Sequence, residues 1–139
     1  CVARFNETIT AELLRGFQAT CELAGMSPEQ IEVHWVPGAV ELPLTAKVLG
    51  KTGRVNALCV LGAVIRGGTP HFDYVCQQVS DGIQKVALEL ELPLAFGVLT
   101  TDTFIQAEER AWMDKDDKGG EAAQTTLKML AKLEEIRGL

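Results

Sequence analysis

Apolar residues recur along this chain with two different spacings, which predict an alternation of helices and strands. Steps of three and four residues, the spacing of one helical face, are clearest from Phe72 to Leu90. The same spacing predicts helices over about 9–21, 41–49 and 105–113, and from Lys118 nearly to the C-terminus. Nearly continuous apolar runs over 57–65 and 94–99 are typical of strands covered on both faces, and 31–36 predicts a further strand.

This alternation indicates an α/β sandwich around a mostly parallel sheet, in a single domain over residues 1–139. The residues before the turn-like segment 4–6 are interpreted as the tail of a strand whose first residues lie outside the sequence. We expect the helices to be bounded by Thr8 or Thr10 as the first cap, by Gly50 after the second helix, and by Asp116 and Asp117 before the last.

The last predicted helix carries two apolar stripes, although a surface helix needs only one. The first stripe is Ala123, Leu127, Leu130 and Ala131, and the second is Ala122, Met129, Leu133 and Ile136. Burial against another subunit explains the second stripe, and so does a helix wedged deep in the core.

Composition and charge exclude several classes of protein. Of the 139 residues, 47% are hydrophobic and 23% are charged, which suits a folded domain rather than a disordered chain. The formal net charge of -6 argues against a nucleic acid as the main partner, because phosphate neutralisation needs clustered Lys and Arg. No apolar run is long enough to span a membrane, and no signal peptide is visible.

The four cysteines include no C-x-x-C pair, so neither a zinc site nor a redox motif is indicated. Cys21 and Cys76 fall on the apolar faces of predicted helices, and Cys59 lies within an apolar run, which favours buried free thiols. Such thiols fit a reducing compartment, for which we expect the cytoplasm, although the plastid stroma fits as well.

Segments with functional side chains follow each predicted strand. These segments are 5–6, 38–41, 66–71 and 100–102. In parallel α/β sheets, ligands bind beyond the carboxyl ends of the strands. We therefore expect the four segments to form one rim that holds the functional site.

Gly67-Gly68-Thr69 lead directly from a strand into a helix, which is the arrangement of many anion sites. Glycines let backbone amides approach a phosphate, and Thr69 adds a hydroxyl donor. A tight turn with Thr69 as the N-cap explains the same residues.

His71 falls in the first turn of that helix, where the helix dipole disfavours the imidazolium form. A neutral imidazole there is suited to proton exchange, so His71 is the acid–base candidate. The alternative is a capping or partly buried structural histidine. His34 lies within a predicted strand and is interpreted as structural.

Further side chains have both a functional and a structural interpretation. Glu41 is either a ligand carboxylate or a favourable charge near a helix start, and Phe5 either stacks on a planar ring or fills the core. Arg110 either pairs with a phosphate or is a solvated surface residue, and the same holds for Lys118. Trp112 is interpreted as packing.

Six segments carry a combined pattern over nearly the whole chain. They are 4–6 (RFN), 37–43 (PGAVELP), 62–75 (GAVIRGGTPHFDYV), 96–101 (FGVLTT), 106–111 (QAEERA) and 117–119 (DKG). Together they resemble the lumazine synthase family, and the block 62–75 is highly specific. The resemblance implies a flavodoxin-like three-layer α/β/α sandwich with a parallel sheet of about four to five strands.

The resemblance also implies a transferase of riboflavin biosynthesis that needs neither a metal nor an organic cofactor. Its reaction is the condensation of 5-amino-6-(D-ribitylamino)uracil with 3,4-dihydroxy-2-butanone 4-phosphate to 6,7-dimethyl-8-ribityllumazine, phosphate and water. The implied partners are copies of the same chain, as pentamers, decamers or icosahedral shells built from pentamers, and riboflavin synthase.

The resemblance also implies a role for individual residues of this chain. Phe5 would stack on the pyrimidine beside Asn6, and the ribityl chain would lie against Ala39, Val40 and Glu41. Backbone groups for the pyrimidine would come from Ala63, Val64 and Ile65, and phosphate ligands from Gly68, Thr69 and Arg110. His71 would transfer protons, and the pocket would be completed by Phe96 and Lys118, in this family partly across a subunit boundary.

Three positions depart from the family's usual pattern. Val40 stands where Phe is expected, and Pro70 precedes His71 where a small residue is commoner. The segment 112–116 replaces the usual Gly-Thr-Lys-Ala-Gly.

Two other functions fit the same fold. One is an archaeal-type riboflavin synthase, which the Gly-Gly-Thr-x-His signature disfavours. The other is a flavin- or lumazine-binding shell protein without turnover.

Overall fold

A sheet of four parallel strands alternates along the chain with five α-helices, in a computed structural model that describes residues 1–139. The strands are β1 (Val2–Ala3), β2 (Trp35–Val36), β3 (Leu58–Ile65) and β4 (Leu94–Thr101), in the order β2-β1-β3-β4. The helices are α1 (Glu7–Leu23), α2 (Leu42–Lys51), α3 (His71–Leu90), α4 (Phe104–Ala111) and α5 (Lys118–Arg137). Short 3₁₀ helices cover Pro28–Gln30 and Ala39–Glu41.

Helices cover both faces of the sheet, which confirms the predicted α/β sandwich as a three-layer arrangement. One core lies under α1, α4 and α5 and includes Ile9, Leu13, Ala107, Ala111 and Ala122. The other lies under α2 and α3 and includes Leu42, Ala46, Val79 and Ile83. The central strand β3 supplies side chains to both cores, which explains its nearly continuous apolar sequence.

Helices α1 and α5 approach each other closely where both carry glycine. A Cβ added at Gly119 would overlap the carbonyl oxygen of Leu13 and lie 2.7 Å from its carbonyl carbon. Asp117 caps α5, as predicted, with φ at 45° and its carboxylate accepting a bond from the Gly120 N–H at 3.1 Å. A Cβ at Gly16 would meet that same carboxylate. The crossing therefore fixes where α5 begins, and with it the position of Lys118.

Two helix boundaries differ from the prediction. Helix α1 begins directly after Asn6, which adopts the left-handed conformation (φ 62°), so neither Thr8 nor Thr10 is its cap. Asparagine tolerates this conformation better than most side chains. Helix α2 continues through Gly50, and the turn after it contains Gly53 at φ 78° instead.

The predicted strand over 31–36 is shorter than expected. Only Trp35–Val36 pair as a strand, with Val2 and Ala3 of β1 as their partners. The segment before β2 still approaches the sheet, since the carbonyl of His34 accepts a bond from the Val2 N–H at 2.8 Å.

The second apolar stripe of α5 is buried only at its first residue. Ala122 is 7% exposed, whereas Met129 is 42% and Ile136 is 71% exposed. Met129 and Leu133 border a groove of about 450 Å³ together with Leu88 of α3. The helix is therefore not wedged deep in the core, and burial of this surface against another subunit stays a prediction. Neither α5 nor any other helix is long and apolar enough to cross a membrane.

All four cysteines carry free thiols. Cys21 and Cys59 are buried, as predicted, whereas Cys76 is only half-buried. Burial raises the pKa of the Cys59 thiol to about 12, so the unreactive protonated form persists at neutral pH. These properties favour a packing role for Cys21 and Cys59.

Candidate active site

The carboxyl ends of the strands form one rim, as the loop sequences predicted. All four strands are parallel, so the segments that follow them emerge on the same side of the sheet. After β1, the side-chain amide of Asn6 donates to the carbonyl oxygen of Ala63 in β3 at 2.9 Å. After β3, Arg66 donates to the carboxylate of Asp102, beyond β4, at 2.8 Å. These two hydrogen bonds join the ends of three strands.

The residues predicted to bind the pyrimidine and those predicted to bind the ribityl chain lie next to each other on this rim. The N–H of Phe5 donates to the carbonyl of Pro37 at 3.0 Å, which joins the ends of β1 and β2. The Phe5 ring is 72% exposed, so it does not fill the core and is free to stack on a ligand. The 3₁₀ helix Ala39–Glu41 follows β2, and its last carbonyl accepts a bond from the Thr45 hydroxyl at 2.8 Å.

Within that 3₁₀ helix, the three residues predicted to bind the ribityl chain differ in exposure. Ala39 is buried and Val40 packs partly against the core beside α2 and α3. Glu41 is half-buried. Only Glu41 therefore offers a charged side chain to the rim.

The last residues of β3 extend beyond their pairing with β1. β3 pairs with β1 at Leu61, whereas its pairing with β4 continues through Val64 to Ile65. Ala63 is buried, and its carbonyl holds Asn6. Backbone groups alternate in direction along a strand, so those of Ile65 face away from β4 and are where a planar ligand would meet the strand.

The loop between β3 and α3 is open around its glycines. A Cβ added at Gly67 or Gly68 would meet no atom within 4 Å, and neither residue has a positive φ. Neither the backbone conformation nor the packing of the chain itself thus requires glycine here. Close approach of a ligand remains as a reason.

His71 is the first residue of α3, in the first turn as predicted, and its side chain is exposed. The N-cap of this helix is Pro70 and not Thr69, which corrects the alternative interpretation of Thr69. The Thr69 hydroxyl accepts only a long bond, 3.4 Å, from the His71 N–H. Its lone pairs and its proton are therefore largely available to a ligand at the helix N-terminus.

A second set of residues predicted to bind substrate lies along the free edge of β4. Arg110, Lys118 and the ring of Phe96 border a groove of about 350 Å³ between β4 and α5. Arg110 donates one bond to the Gln106 carbonyl at 2.9 Å and has no carboxylate partner. A half-buried guanidinium without an acidic partner is well suited to bind an anion.

The two sets include residues of helices that cover opposite faces of the sheet. His71 lies on α3, which covers one face of the sheet, whereas Arg110 and Lys118 lie on α4 and α5, which cover the other. Phe96 pairs with Val60, far from the end of β4 at Thr101. At about 3.3 Å per residue, Phe96 lies roughly 16 Å from the rim.

The sequence predicted no role for four residues that lie at the rim or in the groove. Glu121 binds Lys118 at 2.9 Å and lines the same groove, together with Thr125. Arg66 and Asp102 join two loops at the rim. Hydrogen bonding to Asp102 raises the pKa of the Arg66 guanidinium above its usual range. Arg66 and Asp102 stand in the rim segments of the sequence, but nothing there predicts that they pair.

His34 and Trp112, both interpreted as structural from the sequence, lie outside the site. His34 bonds Glu32 at 2.9 Å before β2, at the end of the sheet opposite the rim. Trp112 packs against the core formed by α1, α4 and α5, as predicted.

Comparison with known proteins decides the family. The family model described as 6,7-dimethyl-8-ribityllumazine synthase matches residues 1–134. A curated relative, the 6,7-dimethyl-8-ribityllumazine synthase of Protochlamydia amoebophila (strain UWE25), is 50% identical over 129 residues, which are 93% of this chain and 75% of the relative. The chain belongs to the 6,7-dimethyl-8-ribityllumazine synthase family.

Membership of this family confirms the resemblance given by the six sequence segments. The fold is the flavodoxin-like sandwich of lumazine synthases, and the activity is that of a transferase in riboflavin biosynthesis. The family match thereby disfavours the alternative that the chain is an archaeal-type riboflavin synthase.

Proposed function

We propose that this chain condenses 5-amino-6-(D-ribitylamino)uracil with 3,4-dihydroxy-2-butanone 4-phosphate in an active site that two copies of the chain complete. The observation that supports a shared site is that the residues predicted to bind the substrates fall into two separate groups. His71 and the open glycine loop belong to the rim, whereas Arg110, which has no carboxylate partner, belongs to the groove along the free edge of β4.

The rim supplies the site for the pyrimidine and its ribityl chain. The exposed Phe5 ring stacks on the pyrimidine beside Asn6, and backbone groups at the end of β3, those of Ile65 first, hydrogen-bond the ring. The adjacent 3₁₀ helix Ala39–Glu41 holds the ribityl hydroxyls, with the Glu41 carboxylate as their acceptor.

The butanone phosphate binds between the rim of one copy and the groove of the next. Gly68 and Thr69 at the N-terminus of α3 present backbone and hydroxyl donors to the phosphate. Arg110 of the neighbouring copy adds a charge-assisted bond, and its Phe96 and Lys118 close the pocket.

The reaction follows from this placement. The primary amine of the pyrimidine attacks the ketone, water leaves as the Schiff base forms, phosphate is eliminated, and ring closure expels a second water. Much of the acceleration comes from holding two substrates in reactive geometry. His71 exchanges protons with the reacting nitrogen and oxygen atoms, and the donors around the phosphate stabilise it as it leaves.

The assembly is a closed ring in which every interface pairs a rim with a groove. Such an interface is heterologous, and closure of the ring gives each copy one complete site. For the family this ring is a pentamer, from which decamers or shells are built. The exposed Leu44, Val48, Tyr74 and Ile105 indicate surfaces that an assembly would cover.

The remaining assignments follow from the same proposal. Residues 1–139 act as one catalytic domain, and the buried free thiols fit the reducing cytoplasm. Riboflavin synthase, which consumes the lumazine, is the proposed further partner.

A direct assay tests the activity. The purified, assembled protein is mixed with both substrates in the presence of a chelator, and lumazine absorbance and released phosphate are followed. We expect equal amounts of lumazine and phosphate, formed well above the uncatalysed rate. A folded, assembled sample without acceleration would instead support the lumazine-binding shell protein.

Replacement of Arg110 by alanine tests the phosphate site. We expect the KM for butanone phosphate to rise about tenfold or more, since a hydrogen bond to a charged group contributes roughly 1.5–3 kcal/mol. The KM for the pyrimidine should change little. Steady-state kinetics with each substrate varied in turn measure this, with the exposed Lys128→Ala as the control. An unchanged KM for butanone phosphate would remove Arg110 from the site.

A further inference from the structure

The side chain of Arg66 connects three elements around the glycine loop. Its Nε donates to Asp102 after β4 at 2.8 Å, and its Nη1 donates to Asp73 in the first turn of α3 at 3.4 Å. The guanidinium also lies over the Phe72 ring, 4.4 Å from its centroid. The backbone N–H of Arg66 donates to the Thr101 carbonyl at 2.9 Å. One residue thus holds the end of β4 and the start of α3 together.

The loop that Arg66 begins has few other anchors. Gly67 and Gly68 have open space around them, and the bond from the His71 N–H to Thr69 is long at 3.4 Å. The path from β3 to His71 is therefore set by its two ends. Arg66 fixes one end through its backbone and reaches the other end with its side chain.

We propose that Arg66 is a positioning residue, which holds the Gly67–Thr69 loop and His71 in the geometry that the phosphate and the proton transfer require. The inference rests on the proposed function and adds a residue to it. Arg66 acts through the loop, because its Nε and Nη1 each donate to a carboxylate of a segment that flanks it.

The contribution of Arg66 is one of geometry and not of stability. The side chains of Arg66, Asp73 and Asp102 are 45%, 64% and 65% exposed, and ion pairs this exposed stabilise a fold little. A shift of the loop by a fraction of an ångström still weakens a site that depends on several converging donors.

Kinetics of Arg66→Ala and Asp102→Ala test the proposal. We expect both variants to melt at the wild-type temperature, to raise the KM for butanone phosphate about tenfold, and to lower kcat. The KM for the pyrimidine should stay unchanged, because the Arg66 side chain contacts Asp102, Asp73 and Phe72 and none of the residues that bind the pyrimidine. Asp102→Asn keeps an acceptor for Arg66 and should restore most of the activity.

The matched control is Arg54→Ala, which breaks another solvent-exposed pair, with Glu32, at the opposite end of the sheet. We expect wild-type kinetics from it. If Arg66 bound the phosphate directly, Asp102→Ala would leave the KM for butanone phosphate unchanged or lower it, and the proposal would fail. It would also fail if only the active fraction fell while both KM values stayed constant. An inactive wild type would instead refute the proposed function itself.

Discussion

Replacement of His71 by alanine is expected to lower kcat by about 10²-fold without abolishing turnover, because general acid–base catalysis contributes roughly 10²–10⁴-fold. The remaining rate reflects the positioning of the two substrates, which does not depend on this side chain. His71 is exposed at the first position of α3, so its removal leaves the core intact. Both KM values should therefore stay close to those of the wild type.

The measurement is steady-state lumazine formation at saturating concentrations of both substrates. His34→Ala is the matched control, since His34 is the other histidine of the chain and lies at the opposite end of the sheet. We expect wild-type kcat from the control. A wild-type kcat for His71→Ala would exclude His71 from the mechanism.

Gly119→Ala is expected to destabilise the fold by about 3 kcal/mol or more, at the upper end of the range for overpacked sites. The added Cβ would overlap the Leu13 carbonyl oxygen and lie 2.9 Å from the Leu13 Cα. These are backbone atoms of α1, so no side-chain rotation relieves the overlap. The two helices must move apart, and the position of Lys118 changes with them.

Urea unfolding followed by circular dichroism measures this effect. Gly67→Ala is the control, because its Cβ would meet no atom within 4 Å and its φ is not positive. The free energy of unfolding of the control should stay within about 0.5 kcal/mol of the wild type. Equal stability of Gly119→Ala and the wild type would mean that α1 and α5 do not cross as closely as described.

Much of the fold could be predicted from local patterns. The apolar spacing from Phe72 predicts α3 to within one residue of its start at His71, because a long amphipathic helix repeats the same signal several times. Short elements lack this repetition. The strand β2 has only two paired residues, too few for a repeating apolar pattern to define its bounds.

The site could be predicted only in part for a related reason. The rim follows from the direction of the strands, which the alternation of helices and strands indicates. The separation of His71 from Arg110 depends on which face of the sheet each helix covers. The amphipathic pattern of a helix does not encode that choice. The Arg66–Asp102 pair depends equally on the order of strands, because its members are 36 residues apart.

The shared active site is tested most directly by mixing two impaired variants, His71→Ala and Arg110→Ala. They are unfolded together in equal amounts, refolded, and assayed with butanone phosphate below its KM. In a ring of heterologous interfaces, about one quarter of the interfaces then combine an intact rim with an intact groove. The mixture should therefore recover about one quarter of the wild-type activity, well above either variant refolded alone. Activity equal to the mean of the two variants would contradict a site built from two copies.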